Sequence, residues 1–323
     1  KQTLFLARND LVFDQIEEVS GINISVFIQG ESGTGKELVA KAVHYSSTYK
    51  TGPFIAINCG AIPESLQESE LFGHEKGSFT GADHSRIGKL EYANHGTLFL
   101  DEVGEMSQNM QVKLLRFLQD KTFERVGGNK KISVDLRIIS ATNRKLENDI
   151  KNGKFREDLY YRLVVYPITI PALREHKEDI PLLVTYFLKK YKKEMPKIIT
   201  TVSASAMEAL MEYDWQGNIR QLENVIYRAM VTTRTETIEV EDLYMETRKD
   251  HIPTLENPSS QEFRPPTSPT IQSQTRSKTI KELEKNALME ALKITEGNIE
   301  QAAKRLDISR ATIYRKIKKY KIE

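Results

Sequence analysis

The stretch that decides the fold is SVFIQGESGTGKELVAKAVHYSS, residues 25–47. A short β-rich apolar run leads into a glycine-rich turn, and helix-like apolar spacing follows. A strand, such a turn and a helix N-terminus together form a nest of backbone N–H groups that favours an anion, and Lys36 can reach the β- and γ-phosphates. A glycine-rich turn without this role is the alternative. The predicted phosphate loop comprises Gly30, Glu31, Ser32, Gly33, Thr34, Gly35, Lys36 and Glu37.

Further apolar runs extend this pattern into a sheet. The runs FIAIN, GTLFLDE, LRIISAT and YPITIP, at 54–58, 96–102, 136–142 and 166–171, alternate with helix-like segments. Strands that alternate with helices predict an α/β fold with a parallel sheet covered on both faces. From about Glu178 to Arg248 we find no strand candidate, and the apolar spacing predicts a small helical domain.

Composition limits the class of protein. The 323 residues predict two or three domains, and the 28% of charged residues suits a soluble protein. The net charge is only +2, so any nucleic-acid contact must come from a local patch. One cysteine excludes an intrachain disulfide, and no apolar run approaches the roughly 18 residues of a membrane span. We therefore expect a cytoplasmic protein.

Two carboxylates follow the apolar run Thr97-Leu-Phe-Leu100. Such a pair at a strand tip suits a magnesium site beside a base that activates water. We assign Asp101 to the metal, directly or through water, and Glu102 to the attacking water. Many surface strands also end in acids, but these lie about 65 residues after the phosphate loop. The six histidines show no metal-ligand spacing with Cys59, which we interpret as a core thiol.

These motifs resemble the AAA+ ATPase domain of sigma-54-dependent activators, also called bacterial enhancer-binding proteins, over roughly 25–245. GESGTGKE at 30–37 resembles that family's own phosphate loop, including Glu37 in the place of the usual Ser or Thr. ANHGTLFLDE at 93–102 resembles its second nucleotide motif. The resemblance implies a P-loop parallel sheet with a small helical lid, ATP with Mg2+, and assembly from dimers into a ring, usually a hexamer.

The segment ELFGHEKGSFTGA at 70–82 resembles the family's GAFTGA loop, which contacts sigma-54. Paired glycines permit a flexible stalk, and a phenylalanine and a threonine at its tip offer contacts to a partner. Ser78 replaces the usual alanine. A glycine-rich surface loop is the alternative. The resemblance assigns the sigma-54 contact to Gly77, Ser78, Phe79, Thr80, Gly81 and Ala82.

Other motifs match the family in order. Asn58 resembles the residue that pairs with the catalytic glutamate, although it can equally cap the strand end. Asn143 resembles the first sensor, and Arg220, in WQGNIRQLEN, resembles the second. Arg156 and Arg162 resemble arginine fingers that act on a neighbouring subunit, with salt bridges to adjacent acids as the alternative. Residues 123–134 suit a second remodelling loop or an ordinary hairpin.

The C-terminus carries a local basic charge. Residues 301–323 hold eight Lys or Arg and two acids, a local net charge of +6. Asn298 and Ser309 can cap two short helices joined by a turn, which resembles the Fis-type helix-turn-helix of the same family. A solvated basic helix end is the alternative, and KTIKELEKNALMEAL at 278–292 can pack as a dimer helix. The predicted contacts to DNA are Arg310, Thr312, Arg315 and Lys316.

Four segments result. We expect an α/β ATPase subdomain at 1–172, a helical lid at 173–248, a Pro- and Ser-rich flexible linker at 249–277, and an all-α DNA-binding domain at 278–323. The resemblance implies an activator that binds upstream double-stranded DNA and hydrolyses ATP to open the sigma-54 RNA polymerase closed complex. The alternatives are a regulator of the same fold that acts on another sigma class, and an AAA+ enzyme such as an unfoldase or a helicase loader.

Overall fold

The computed structural model describes residues 10–79, 81–195 and 199–245, and from the C-terminal part residues 288–289, 291–293, 295, 298–305, 310, 312–313 and 315–316. The chain divides into two compact units, Lys1–Ile252 and Pro253–Glu323. Among the described residues, no helix has the length and apolar character needed to cross a membrane.

The described strands of the first unit are, in chain order, β1 (Val26–Gln29), β2 (Phe54–Asn58), β3 (Gly73–His74), β4 (Arg86–Ile87), β5 (Thr97–Asp101), β6 (Thr122–Glu124), β7 (Lys131–Ser133), β8 (Arg137–Thr142), β9 (Tyr166–Thr169), β10 (Thr201–Val202) and β11 (Thr237–Ile238). Its described helices are α1 (Asp10–Glu18), α2 (Lys36–Tyr45), α3 (Glu64–Phe72), α4 (Lys89–Tyr92), α5 (Gln108–Asp120), α6 (Leu146–Lys151), α7 (Glu157–Leu163), α8 (Ile180–Tyr191), α9 (Ala204–Glu212) and α10 (Asn218–Thr232). Short 3-10 turns occupy Cys59–Ala61, Val103–Glu105, Leu173–Glu175, Lys177–Asp179 and Val240–Asp242.

The five predicted strands form one sheet in the order β2-β5-β8-β1-β9. Every neighbouring pair is parallel, which confirms the α/β prediction. The carboxyl ends of parallel strands meet at one edge, where ligands bind in open α/β sheets. At this edge Asn58 is paired in register with Asp101, and the phosphate loop leaves β1.

Side chains of the sheet alternate between two cores. On β5, Leu98 and Leu100 belong to the cluster that includes α5 residues such as Leu114, whereas Phe99 packs with α2 residues such as Val43. All of these are almost fully buried. Burial on both faces explains why the strands read as nearly continuous apolar runs.

The lid is built around α8, α9 and α10. Trp215 is fully buried there and its indole Nε1–H donates to the backbone oxygen of Leu210 at 2.7 Å. The expectation that this part lacks strands was wrong, because β10 and β11 form a short parallel pair. Each has only two residues, Thr201–Val202 and Thr237–Ile238, which is too short for alternation to be detected in the sequence.

The second unit has a small apolar cluster and a capped helix. The side-chain oxygen of Asn298 accepts hydrogen bonds from the backbone N–H groups of Glu300 and Gln301, at 3.1 and 3.3 Å, at the start of the helix Ile299–Arg305. This confirms the predicted cap. The cluster contains Leu288, Ala291, Ala302, Ala303 and Ile313. The predicted linker 249–277 and the predicted cap Ser309 lie outside the described residues.

Candidate functional site

The phosphate loop passes from β1 into α2 through two glycines in the left-handed region, Gly33 and Gly35, with φ angles of 80° and 93°. Residues with a side chain rarely adopt such angles, so glycine is required for the turn. The Lys36 ammonium donates to the backbone oxygens of Gly30 and Glu31, each at 2.9 Å. The loop therefore has the glycine-rich turn that was predicted, and the Lys36 ammonium lies inside it.

Opposite charges face one another across this loop. Burial lowers the pKa of the Lys36 ammonium, while Asp101 and Glu102 raise it and Arg220 lowers it. Burial also raises the pKa of Asp101, and Lys36 opposes that rise. The Asp101 carboxylate accepts the backbone N–H of Glu102 at 3.0 Å. The structure thus brings together the cation and the two carboxylates predicted from separate motifs.

The side chains of Glu102 and Asn58 both approach Gly60. A methyl group at Gly60 would be 2.5 Å from the Glu102 Oε2 and 3.4 Å from the Asn58 Oδ1. Glu102 has a φ of 54°, an uncommon conformation for a residue with a side chain and one that recurs at functional sites. The Asn58 oxygen accepts the N–H of Ala61 at 2.9 Å, so in this structure it caps the 3-10 turn Cys59–Ala61.

A cavity lies between the phosphate loop and the lid, and it includes several residues that sequence reasoning missed. Lys190 on α8 and Glu223 on α10 form an ion pair of 2.5 Å in its wall, and the Tyr191 hydroxyl donates to Glu223 at 2.6 Å. These belong to no local motif; only a fold comparison could have found them. The cavity is lined by Ser32, Gly33, Gly35, Lys36, Glu37, Leu38, Asn58, Asp101, Glu102, Tyr186, Lys190, Ile219, Arg220 and Glu223.

A second, mainly apolar cavity adjoins the same loop. It combines side chains from α1, the phosphate loop, the end of the sheet and the lid, regions far apart in sequence. No spacing rule connects them, so this cavity could not be predicted from the sequence. Its lining consists of Val12, Thr34, Gly35, Leu38, Val39, Ile170, Pro171, Leu173, His176, Asp179, Leu183 and Ile219.

Five predicted nucleotide-site residues are not among those that line these cavities: Gly30, Glu31, Asn143, Arg156 and Arg162. Asn143 directly follows β8 and is exposed. Arg156 precedes α7 and forms a two-point ion pair with Asp158, at 3.0 and 2.6 Å, which was the stated alternative for this arginine. Arg162 is exposed in the last turn of α7. A single chain therefore does not bring together all the residues predicted for the nucleotide site.

The loop predicted to contact sigma-54 extends from a short stalk. Strands β3 and β4 pair in antiparallel fashion, and the N–H of Gly77 bonds to the oxygen of Ala82 at 2.8 Å. Phe79 is 39% exposed, and its ring meets His74 edge-on with 5.0 Å between centroids. Gly77 and Gly81 have positive φ angles. Thr80 lies outside the described residues.

Residues 123–134 include an antiparallel hairpin, β6–β7, in agreement with one of the two interpretations. Its turn is bonded to the base of the stalk: the N–H of Glu75 donates to Val126 O and the N–H of Val126 to Gly73 O, both at 3.0 Å. Arg125 binds the carboxylates of Glu75 and Glu91. The hairpin and the stalk therefore share hydrogen bonds.

The candidate DNA contacts in the second unit are helical residues. Arg310 and Arg315 are exposed, Thr312 and Lys316 are half-buried, and Ile313 between them is buried. Arg310 also pairs with Glu300. Elsewhere Cys59 is buried as predicted, and among the described residues no three His, Cys, Asp or Glu are grouped as metal ligands.

Comparison with known proteins places the chain in a family. The model of the Sigma-54 interaction domain matches residues 7–169, that of the AAA+ ATPase lid domain 174–259, and that of the bacterial regulatory proteins of the Fis family 279–320. The regulatory protein AtoC of Escherichia coli is 48% identical over 93% of this chain and 63% of AtoC. The transcriptional regulatory protein ZraR of Escherichia coli is 44% identical over 95% of this chain and 66% of ZraR.

A solved structure agrees with these matches. NtrX from Brucella abortus, crystallised in complex with ATP, superposes with a TM-score of 0.66 at 36% identity, covering 96% of this chain and 67% of NtrX. The chain thus spans about two thirds of the length of these relatives. On the matches and the shared parallel sheet, lid and helix-turn-helix organisation, the chain belongs to the family of sigma-54-dependent transcriptional activators with an AAA+ domain.

Proposed function

We propose that this protein binds upstream DNA and hydrolyses ATP to convert the closed complex of sigma-54 RNA polymerase into the open complex. One observation carries the proposal. Lys36, Asp101 and Glu102 meet at one edge of the sheet with Arg220 opposite, and a stalk in the same unit presents Phe79 outward. A nucleotide site and a partner loop in one compact unit are what an ATP-driven remodelling protein needs.

The two adjoining cavities suit ATP. The polar cavity offers the phosphate-loop backbone, the Lys36 ammonium and the Arg220 guanidinium to the phosphates. The apolar cavity offers aliphatic side chains such as Leu38, Ile170 and Leu183 to a planar base. The proposed nucleotide contacts are residues 32–37 and Arg220, together with the backbone of Gly30 and Glu31 at the start of the phosphate loop, and the base would be held between α1 and the lid. The ATP-bound structure of NtrX supports this choice of nucleotide.

The donor set also fits magnesium. Mg2+ is commonly held by one or two carboxylates together with the phosphates of its nucleotide, and it keeps several waters. Asp101 supplies one such carboxylate beside Lys36, and no dedicated cage of three acidic or histidine side chains exists among the described residues. A bound Mg2+ would neutralise charge on the β- and γ-phosphates. Glu37 occupies the position where other phosphate loops supply a hydroxyl.

In this proposal Glu102 accepts a proton from the attacking water. Glu102 and Asn58 both approach Gly60, and a rotation of the Asn58 amide would let its Nδ2 donate to the Glu102 carboxylate at the expense of the bond that its Oδ1 accepts from Ala61. Arg156 and Arg162, exposed at the two ends of α7, would reach the γ-phosphate of a neighbouring subunit in a ring. Asn143 would report the γ-phosphate from the exposed end of β8.

The loop at 77–82 would respond to the nucleotide through the residues at the edge of the sheet. Hydrolysis would change the set of contacts at Asn58 and Glu102, and the loop at 77–82 would move on its two-strand stalk against sigma-54. The helix-turn-helix at 278–323 would hold the assembly upstream through the linker 249–277, which raises its effective concentration at the promoter. Arg310, Thr312, Arg315 and Lys316 would contact the major groove or adjacent phosphates.

The deciding experiment is promoter opening by the purified full chain with sigma-54 RNA polymerase and ATP. We expect opening with ATP and none without nucleotide. Thr80→Ala should abolish opening while ATPase activity is kept. Opening without hydrolysis, or loss of both activities in this variant, would contradict the proposal.

The same experiment separates the alternatives. A regulator that acts on another sigma class would bind DNA and ATP but leave the sigma-54 closed complex unchanged. An unfoldase or a helicase loader would hydrolyse ATP without a response to promoter DNA. The match to the Sigma-54 interaction domain and the GSFTGA sequence at 77–82 favour the sigma-54 activator over both alternatives.

A further inference from the structure

The Glu31 side chain points to the lid, although its backbone belongs to the phosphate loop. Its carboxylate forms a two-point ion pair with Arg174, at 2.8 Å between Nη1 and Oε2 and 2.6 Å between Nη2 and Oε1. Arg174 sits in the 3-10 turn Leu173–Glu175, where the chain leaves the sheet for the lid. The bonds from Arg174 and Asn218 lower the pKa of Glu31 to about 2, so its charge persists at neutral pH.

Asn218 joins the same two segments from the buried side. Its Nδ2 donates to the Glu31 carboxylate at 3.1 Å and to the Ser32 backbone oxygen at 3.0 Å. Its Oδ1 accepts the N–H of Leu173 at 2.9 Å. Asn218 is fully buried and has a φ of 54°, a region that Asn tolerates better than most residues. One side chain therefore holds the phosphate loop, the start of the lid and helix α10.

Arg220 follows two residues later and depends on this junction. Its backbone N–H donates to the Gly33 oxygen at 3.3 Å, and its Nη1 lies 3.5 Å from the Ser32 hydroxyl. Gly33 approaches Gly217 so closely that a methyl group at Gly33 would be 2.4 Å from the Gly217 oxygen. The direction of the Arg220 side chain is thus set by how α10 begins on the phosphate loop.

We propose that Glu31, Arg174 and Asn218 form a clasp, a set of positioning residues that holds the lid at the angle at which Arg220 reaches bound ATP. This inference rests on the proposed ATPase function. The Glu31–Arg174 pair is 44% and 39% exposed, so its attraction alone is weak. Its contribution is directional, because a two-point pair fixes the planes of both groups, and the buried Asn218 completes the junction.

The clasp also couples nucleotide to lid. ATP would touch the phosphate-loop backbone on one side and Arg220 on the other. A ligand that binds better when the lid is clasped must also stabilise the clasp by the same factor. Glu31 would thus make the affinity for ATP depend on the position of the lid.

The test measures binding of a fluorescent ATP analogue and ATP turnover in the full chain. Glu31→Gln keeps the shape of the side chain and removes its charge, and we expect binding to weaken about fivefold to tenfold. In an Arg220→Ala background the same change should cost nothing further, because the clasp acts through Arg220. The control is Glu68→Gln, whose carboxylate pairs with Lys113 outside both nucleotide cavities, and it should bind like the wild type.

Asn218→Asp provides a second variant. It keeps the shape and the bond to Leu173 but sets a carboxylate against Glu31, so its loss of affinity should exceed that of Glu31→Gln. Equal losses with and without Arg220, or a lowered melting temperature with unchanged affinity, would overturn the clasp. Failure of the wild type to hydrolyse ATP would instead contradict the proposed function. The affinities of the variants for the ATP analogue, compared with that of the wild type, would still test the clasp.

Discussion

Gly127, in the turn of the β6–β7 hairpin, packs directly on Ser78, in the loop predicted to contact sigma-54: a methyl group at Gly127 would lie 2.6 Å from the Ser78 Cβ. This is closer than non-bonded carbon atoms can approach, so the two turns fit only because position 127 is a glycine. Together with the bonds between Val126 and the stalk, the contact makes the hairpin a support for the loop. A movement of either turn must be accommodated by the other.

The first prediction concerns this contact. Gly127→Ala should push the loop at 77–82 away from the hairpin, so promoter opening should fall while ATP turnover remains. Gly127 has a φ of 75°, so the substitution also strains the backbone. Gly153→Ala is the matched control, because Gly153 has a φ of 67° but open space around it. Equal loss of opening in both variants would show that strain, and not the contact with Ser78, is responsible.

The second prediction concerns Ser78 itself. Its hydroxyl oxygen is buried and has no hydrogen-bond partner in the part of the chain that the structure describes. Ser78→Ala removes this oxygen and restores the residue typical of the family. We expect the free energy of unfolding to stay equal or to increase, by at most about 1–3 kcal/mol, with a corresponding rise in melting temperature. Promoter opening should be at least equal to that of the wild type. Reduced opening would indicate that the hydroxyl contacts the partner.

The third prediction concerns the base. Gly60→Ala should displace the Glu102 carboxylate, since the new methyl group would come within 2.5 Å of its Oε2. A displacement of about 1 Å can cost about a hundredfold in rate, so turnover should fall tenfold or more while ATP affinity is kept. Gly21→Ala, a glycine with open space around it, should behave like the wild type. Unchanged turnover in Gly60→Ala would contradict the idea that this position of the Glu102 carboxylate is needed for catalysis.

The fourth prediction concerns action between subunits. Arg156→Ala should lower ATP turnover by about a thousandfold or more if this arginine stabilises the transferred phosphate of a neighbour. Mixing it with Lys36→Ala subunits should restore part of the activity, because each variant supplies what the other lacks. Asp158→Asn frees Arg156 from its ion pair and should not reduce turnover. No recovery on mixing would contradict action in trans.

The fifth prediction concerns pH. His44 is buried, its Nδ1 is 2.8 Å from the Thr97 hydroxyl, and burial, followed by Arg137, lowers its pKa below the usual 6.5. Below pH 6.5 His44 binds a proton in the unfolded chain, whereas in the folded chain its burial opposes protonation. The His44 contribution to stability is therefore complete above pH 6.5 and declines as the pH falls, by at most about 1.4 kcal/mol per pH unit. His44→Gln should show a weaker acid dependence in denaturant titrations between pH 5 and 7, and an identical one would refute it.

Local chemistry explains what the sequence predicted well. The five strands, the phosphate loop and the Asp101–Glu102 pair are each encoded by a short run of residues. In the structure the strands form a parallel sheet, and the loop and the carboxylate pair line one cavity. The Asn298 cap is equally local. Such features depend on neighbours in the chain, so pattern and spacing suffice.

Features formed by distant residues were not predictable. Asn218 and Glu31 are 187 positions apart, and the Lys190–Glu223 pair joins two lid helices. The two-residue strands of the lid have no pattern to detect. Arg156 is a different case, because its partner in the single chain, Asp158, is local, whereas the proposed partner belongs to another subunit.

Trp215 lies three residues before Asn218, and it is the chain's single tryptophan. Its ring is fully enclosed by the lid and held by the bond to Leu210. The tryptophan fluorescence of the molecule therefore originates in the apolar core of the lid. Local unfolding of the lid would admit water to the indole and shift its emission to longer wavelength, so the natural sequence carries an optical reporter of lid folding that needs no dye.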